Sequence, residues 1–98
     1  MTEMEIKKMI DVRVKKLEKR FQERYALAFE AGGKNCFSYD EGEYFQVTGL
    51  GSFNAIVIEH ADSEDEARKG RFEDGDLFYL AELDEDEMFN AMVKEIEG

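Results

Sequence analysis

Apolar residues recur at Ile6, Ile10, Val14, Leu17, Phe21, Tyr25 and Ala28. The spacing of three or four marks one face of an α-helix. Thr2 and Glu5 fit a capping box at its start: the hydroxyl accepts from a free backbone N–H and the carboxylate reaches back. Gly32 and Gly33 read as its stop, since glycine takes the left-handed conformation a helix end needs. The predicted helix therefore runs from Thr2 to Ala31. At 1.5 Å per residue it would be about 45 Å long, against a diameter near ~30 Å for a domain of this size. A second reading ends the helix early and makes Tyr25 to Phe29 a strand. Ala26, Leu27, Ala28 and Glu30 are good helix formers and favour the continuous helix.

Beyond the glycines the period changes to two. Asn35 to Tyr39 reads as a short strand, followed by a turn at Asp40, Glu41 and Gly42. In Glu43 to Thr48, Phe45 and Val47 alternate with Tyr44, Gln46 and Thr48, the mark of a half-buried strand. Gly49 to Ser52 turns the chain again. Phe53 to Glu59 is the third strand, with Ala55 to Ile58 as its buried centre. Tight turns join antiparallel neighbours, so these strands form a meander. Ser63 and Glu66 then fit a second capping box, opening a short helix that ends near Gly70. Arg71 to Asp76 reads as a charged loop, and the apolar patch Leu77 to Leu80 takes no assignment. Asp84 and Glu87 fit a third capping box before a last helix to about Glu97, with Phe89, Met92, Val93 and Ile96 on one face. The expected fold is α+β in one domain, residues 1–98: a long N-terminal helix, a three-stranded antiparallel β-meander, a short helix and a C-terminal helix.

Composition adds limits. The 98 residues are 43% hydrophobic and include eight Phe and four Tyr, enough for one core. Cys36 is the lone cysteine, so no intrachain disulfide forms and packing must hold the fold. That suits a reducing, cytoplasmic location. No N-terminal apolar run resembles a signal peptide, and the run Ala55 to Ile58 is far too short to cross a bilayer.

The net charge of −11 is unevenly spread. Met1 to Arg24 carries eight Lys/Arg against five Asp/Glu; the rest carries five against nineteen. So acidic a body repels nucleic acid and anionic membranes and attracts a basic protein partner.

Three acidic clusters are the candidate chemistry: Asp62 with Glu64, Asp65 and Glu66; Glu73 with Asp74 and Asp76; and Asp84 to Glu87. A calcium loop needs glycine at its sixth position and oxygen ligands at alternating ones. Counting from Asp62, the sixth residue is Ala67. Counting from Asp74, the fifth is Phe78. The template fails both times, so no metal ligand set is assigned. Carboxylates along helix starts and loops can instead imitate phosphate and meet arginine and lysine on a partner. That reading selects Asp62, Glu64, Asp65, Glu66, Glu73, Asp74 and Asp76. His60 and Cys36 have the types of a nucleophilic dyad, but a histidine capping a strand end accounts for His60 better. Gly49-Leu50-Gly51 lacks the third glycine and following helix of a dinucleotide fingerprint. No catalytic residue and no cofactor are expected.

In element order and acidity the chain is similar to some small anti-CRISPR and toxin-immunity proteins. That resemblance, of layout and charge, implies a non-enzymatic protein-binding module, an inhibitor or immunity-type protein occupying the basic surface of a nucleic-acid-processing enzyme or toxin. The alternative is a homo-oligomerisation module, a homodimer paired through the first helix, with Met9 and Val12 widening its apolar face.

Overall fold

In the computed structural model, which describes residues 2–98, the elements follow as α1 (Glu3–Arg24), β1 (Ala26–Ala31), β2 (Lys34–Tyr39), β3 (Glu43–Leu50), a 3-10 turn (Gly51–Phe53), β4 (Ala55–Ala61), α2 (Glu64–Arg68), β5 (Glu73–Tyr79) and α3 (Glu85–Glu97). The strands form one antiparallel sheet in the order β1-β2-β3-β4-β5. The α+β class, the N-terminal helix, the antiparallel sheet and the C-terminal helix are as expected. The sheet has five strands, not three.

The first added strand comes from an earlier helix end. α1 stops at Arg24, and Tyr25 is extended, with φ −122° and ψ 157°. Gly32 and Gly33 do not stop a helix. With φ of +60° and +79° they form the two-residue turn between the paired residues Ala31 and Lys34. A hairpin turn of this kind needs positive φ at both central positions, which two glycines supply without strain. The helix preference of Ala26 to Glu30 amounts to a few tenths of a kcal/mol per residue, and the ladder with β2, irregular only between Leu27 and Phe29, outweighs it.

The second added strand, β5, replaces the expected charged loop and unassigned patch. Phe78 lies opposite Ile56 and Leu77 opposite Val57, while Asp74 lies opposite Glu59. Gly75 and Asp76 thus face Ile58 alone, a β-bulge that breaks the period of two.

Both long helices cover the same face of the sheet. Leu17 and Phe21 of α1 and Met88 and Met92 of α3 are buried against Phe37, Phe45, Val47, Ile56 and Ile58. Phe21 stands at the centre, its ring 5.1 Å from Phe89, 5.6 Å from Phe45 and 6.1 Å from Phe37, centroid to centroid. Gly49 lets α1 approach: a Cβ there would collide with Ile10 Cγ2. On the opposite face, Ala67 of α2 packs on Cys36 and Ala61, with Phe29, Tyr44 and Phe72 around them. In the three expected capping boxes Thr2, Ser63 and Asp84 accept from the backbone N–H of Glu5, Glu66 and Glu87 at 3.2, 3.1 and 2.8 Å; among the described residues only Glu87 completes its box, accepting from the Asp84 N–H at 3.1 Å.

Candidate functional site

Charge on α1 divides by residue type. Every arginine of the helix turns toward α3 or the loop before it. Arg13 donates to the Leu83 carbonyl at 3.0 Å. Arg20 donates to Asp86 at 2.6 Å and lies over the Phe89 ring at 4.2 Å. Arg24 donates to Glu97 at 2.9 Å, and the Tyr25 hydroxyl donates to the same carboxylate oxygen at 2.6 Å. Burial and the bond to Glu97 push the Tyr25 phenol up to about 12. The Tyr25 hydroxyl and then Arg24 hold the Glu97 carboxyl below its usual range. Lys7, Lys8, Lys15, Lys16 and Lys19, by contrast, are exposed and make no ion pair among the described residues.

The seven predicted partner residues divide in the same way. Those of α2 are already matched: Glu64 pairs with Arg68 at 3.1 Å, Asp65 with Lys69 at 2.9 Å and Glu66 with Arg71 at 3.8 Å. Asp62, Glu73, Asp74 and Asp76 are exposed and make no ion pair among the described residues.

Topology gathers three of these four. In a meander, β3 begins, β4 ends and β5 begins at the same end of the sheet. His60 near the end of β4 therefore pairs with both Phe45 of β3 and Glu73 of β5, and Ala61 pairs with Tyr44. Asp62 follows directly, and Asp74 adjoins Glu73. The β2–β3 turn delivers Asp40, Glu41 and Glu43 to the same place: they share with His60 and Asp62 a shallow depression of about 430 Å³. From the sequence, Asp40 and Glu41 read only as part of a turn and Glu43 only as the start of a strand. Their signal was topological, because the β2–β3 turn and the connection leaving β4 must lie at one end. Asp76 stays farther along the β5 edge, where its backbone N–H donates to Glu95 at 2.8 Å.

His60 sits at the root of this acidic end. Its Nε2 lies 2.6 Å from Glu95 Oε2 of α3, and its Nδ1 lies 3.5 Å from Glu43 Oε1 without a hydrogen-bond partner among the described residues. The Glu95 carboxylate occupies the space above Gly75 that any side chain there would need. It so fastens α3 to β4 and β5 together. Cys36 takes no part. His60 shares a sheet face with Phe45 and Phe37, and Cys36, next to Phe37 along β2, points to the other face. Burial pushes its thiol up to about 11, so it is a packed side chain and not a dyad partner of His60.

A larger concavity lies elsewhere. A groove of about 660 Å³ runs between the first half of α1 and β3, floored by Ile6, Ile10, Val14 and Val47. Lys7, Lys15 and Lys34 at its mouth are balanced by Glu3, Asp11 and Glu18, so it has no bias toward a charged ligand. Glu18 is partly withdrawn from water, which raises its carboxyl, while the Asn35 N–H it accepts at 3.4 Å acts in the opposite direction. Among the described residues, no group of three His, Cys, Asp or Glu is arranged to hold a metal ion, and no helix is long and apolar enough to cross a membrane. In comparisons with known proteins the chain matches no family model, no curated protein and no solved structure.

Proposed function

We propose that this protein is a binding module that docks the acidic end of its sheet onto a cationic surface of another protein. The contact residues are Asp40, Glu41, Glu43, Asp62, Glu73 and Asp74, carried on three successive strands and their connections. The observation that supports the reading is that five of these carboxylates, Asp40, Glu41, Asp62, Glu73 and Asp74, make no ion pair among the described residues, and Glu43 faces only His60, while those of α2 are paired. An acid already paired with a cation of its own chain gains little by meeting a partner's arginine, because one contact replaces another. An unpaired group keeps its full attraction, and a cluster of one sign raises the rate of encounter. The helices beneath, latched through Glu95, hold the strand ends in fixed relation.

The test is binding of fluorescein-labelled octa-arginine, read by anisotropy at low salt. The wild type and a variant neutralised on α2 (E64Q/D65N/E66Q) are expected to bind alike, and a variant neutralised at the sheet end (D40N/D62N/E73Q/D74N) to bind at least about tenfold more weakly. Equal weakening by the two variants would discard the reading.

A further inference from the structure

We propose that the lysine flank of α1 is a docking surface for a second copy of this chain, and that the acidic sheet end is the part of the copy it takes. The inference rests on the reading above and goes further by naming a cationic surface that the acidic end fits. Met4, Met9 and Val12 are 69%, 44% and 52% exposed. They account for half of the large apolar side chains that the described residues leave in water, so this helix face is unlike the rest of the surface. Lys8 and Lys16 are interleaved with them, and Lys15 lies farther round the helix at the mouth of the α1–β3 groove. Lys8, Met9, Val12, Arg13 and Lys16, with Leu80 from the β5–α3 connection, line a shallow depression of about 330 Å³.

An occupant that satisfies this face must bring carboxylates around a modest apolar body. The acidic end has that composition: half-buried Tyr39 and Tyr44 lie beside Asp40, Glu43 and Asp62. Two bodies of charge −11 repel at long range. At about 0.1 M salt, however, the screening length is ~10 Å, much less than the 41 Å long axis of the molecule. Total charge is then damped across the molecule, while pairs in contact are not. Nucleic acid or an anionic membrane would meet the same lysines but be repelled by the acidic end, whereas a second copy uses both surfaces. The surfaces are different patches, so the contact is head to tail and leaves one of each free for further addition unless the chain closes into a ring.

Sedimentation velocity over a concentration series tests this. At about 0.1 M salt the wild type is expected to shift to larger species as concentration rises, and to lose that shift at several-fold higher salt. K8E/K15E/K16E and D62K/E73K/D74K, each reversed at exposed positions only, are each expected to remain monomeric. Mixed one to one they are expected to associate, because each then supplies what the other has lost. That rescue also shows that both variants are folded. A wild type that stays monomeric throughout, a mixture that fails to associate, or lysine-dependent binding of a single-stranded oligonucleotide or an anionic phosphatidylserine vesicle without self-association would each overturn the proposal. A monomer that still binds octa-arginine at its acidic end would remove the self-docking and leave the parent reading in place; loss of octa-arginine binding would remove both.

Discussion

The three arginines and the five lysines of α1 are used differently. On one flank Arg13, Arg20 and Arg24 hold α3 and the loop before it, through a carbonyl, three carboxylates and an aromatic ring. On the other, five lysines point into water. A guanidinium is planar and weakly hydrated, so it can lie on Phe89 while donating sideways; an ammonium keeps its water shell and its freedom. The acids show the same division, between α2, where the charges are matched, and the sheet end, where they are not. Net charge therefore says little about this molecule. What matters is which charges remain unmatched after folding.

Four changes break or sharpen this contrast. The largest effect is expected from Gly49→Val, because both flanks exist only while α1 lies close on β3. The new side chain meets Ile10 at once, and overpacking of this kind costs about 1–3 kcal/mol, measurable as a lower urea midpoint. Arg20→Ala comes next. It removes two carboxylate contacts and the stacking on Phe89 from a site one-third exposed, for a loss of about 1 kcal/mol, and Arg20→Lys is expected to recover only part of it.

The third is a pH effect on the Arg24–Glu97–Tyr25 cluster. The Tyr25 phenol is held above its ordinary 10, so its stabilisation is complete below that pH and is lost as pH rises through about 12. The Glu97 carboxyl is held below its ordinary 4.5, so its stabilisation is present above that pH and is lost as pH falls further. The melting temperature is expected to fall at both extremes, with Tyr25→Phe reducing the alkaline loss and Glu97→Gln the acid one. The smallest effect is expected on the lysine flank: K8A/K15A/K16A should shift stability by no more than about 0.5 kcal/mol. A loss comparable to that of Arg20→Ala would erase the distinction between the flanks.

Much of the framework was legible in the sequence for local reasons. Thr2, Ser63 and Asp84 are side chains whose capping partners lie within three residues, and all three caps form. The stripe from Ile6 to Phe21 and the alternation through Phe45 and Val47 repeat often enough to establish their periods. β1 and β5 were hidden because non-local pairing decides them. Ala26 to Ala31 has helix formers that only the ladder with β2 overrides, and the bulge at Gly75 and Asp76 breaks the alternation of β5.

The acids were visible singly, but their state was not. Glu64 with Arg68 and Asp65 with Lys69 are four residues apart on a helix and could have been matched from spacing alone. The assembly of Asp40, Glu41 and Glu43 with Asp62 and Glu73 needed the strand order first.

The central claim is that unmatched carboxylates, and not acidity in general, make the binding surface. An amide-shift map answers it most directly: ¹⁵N-labelled protein titrated with unlabelled octa-arginine at low salt. Shifts are expected to concentrate in residues 40–44, 60–62 and 73–74 and to leave residues 64–68 nearly unmoved. Shifts of equal size over α2 and the first turn of α3 would contradict it.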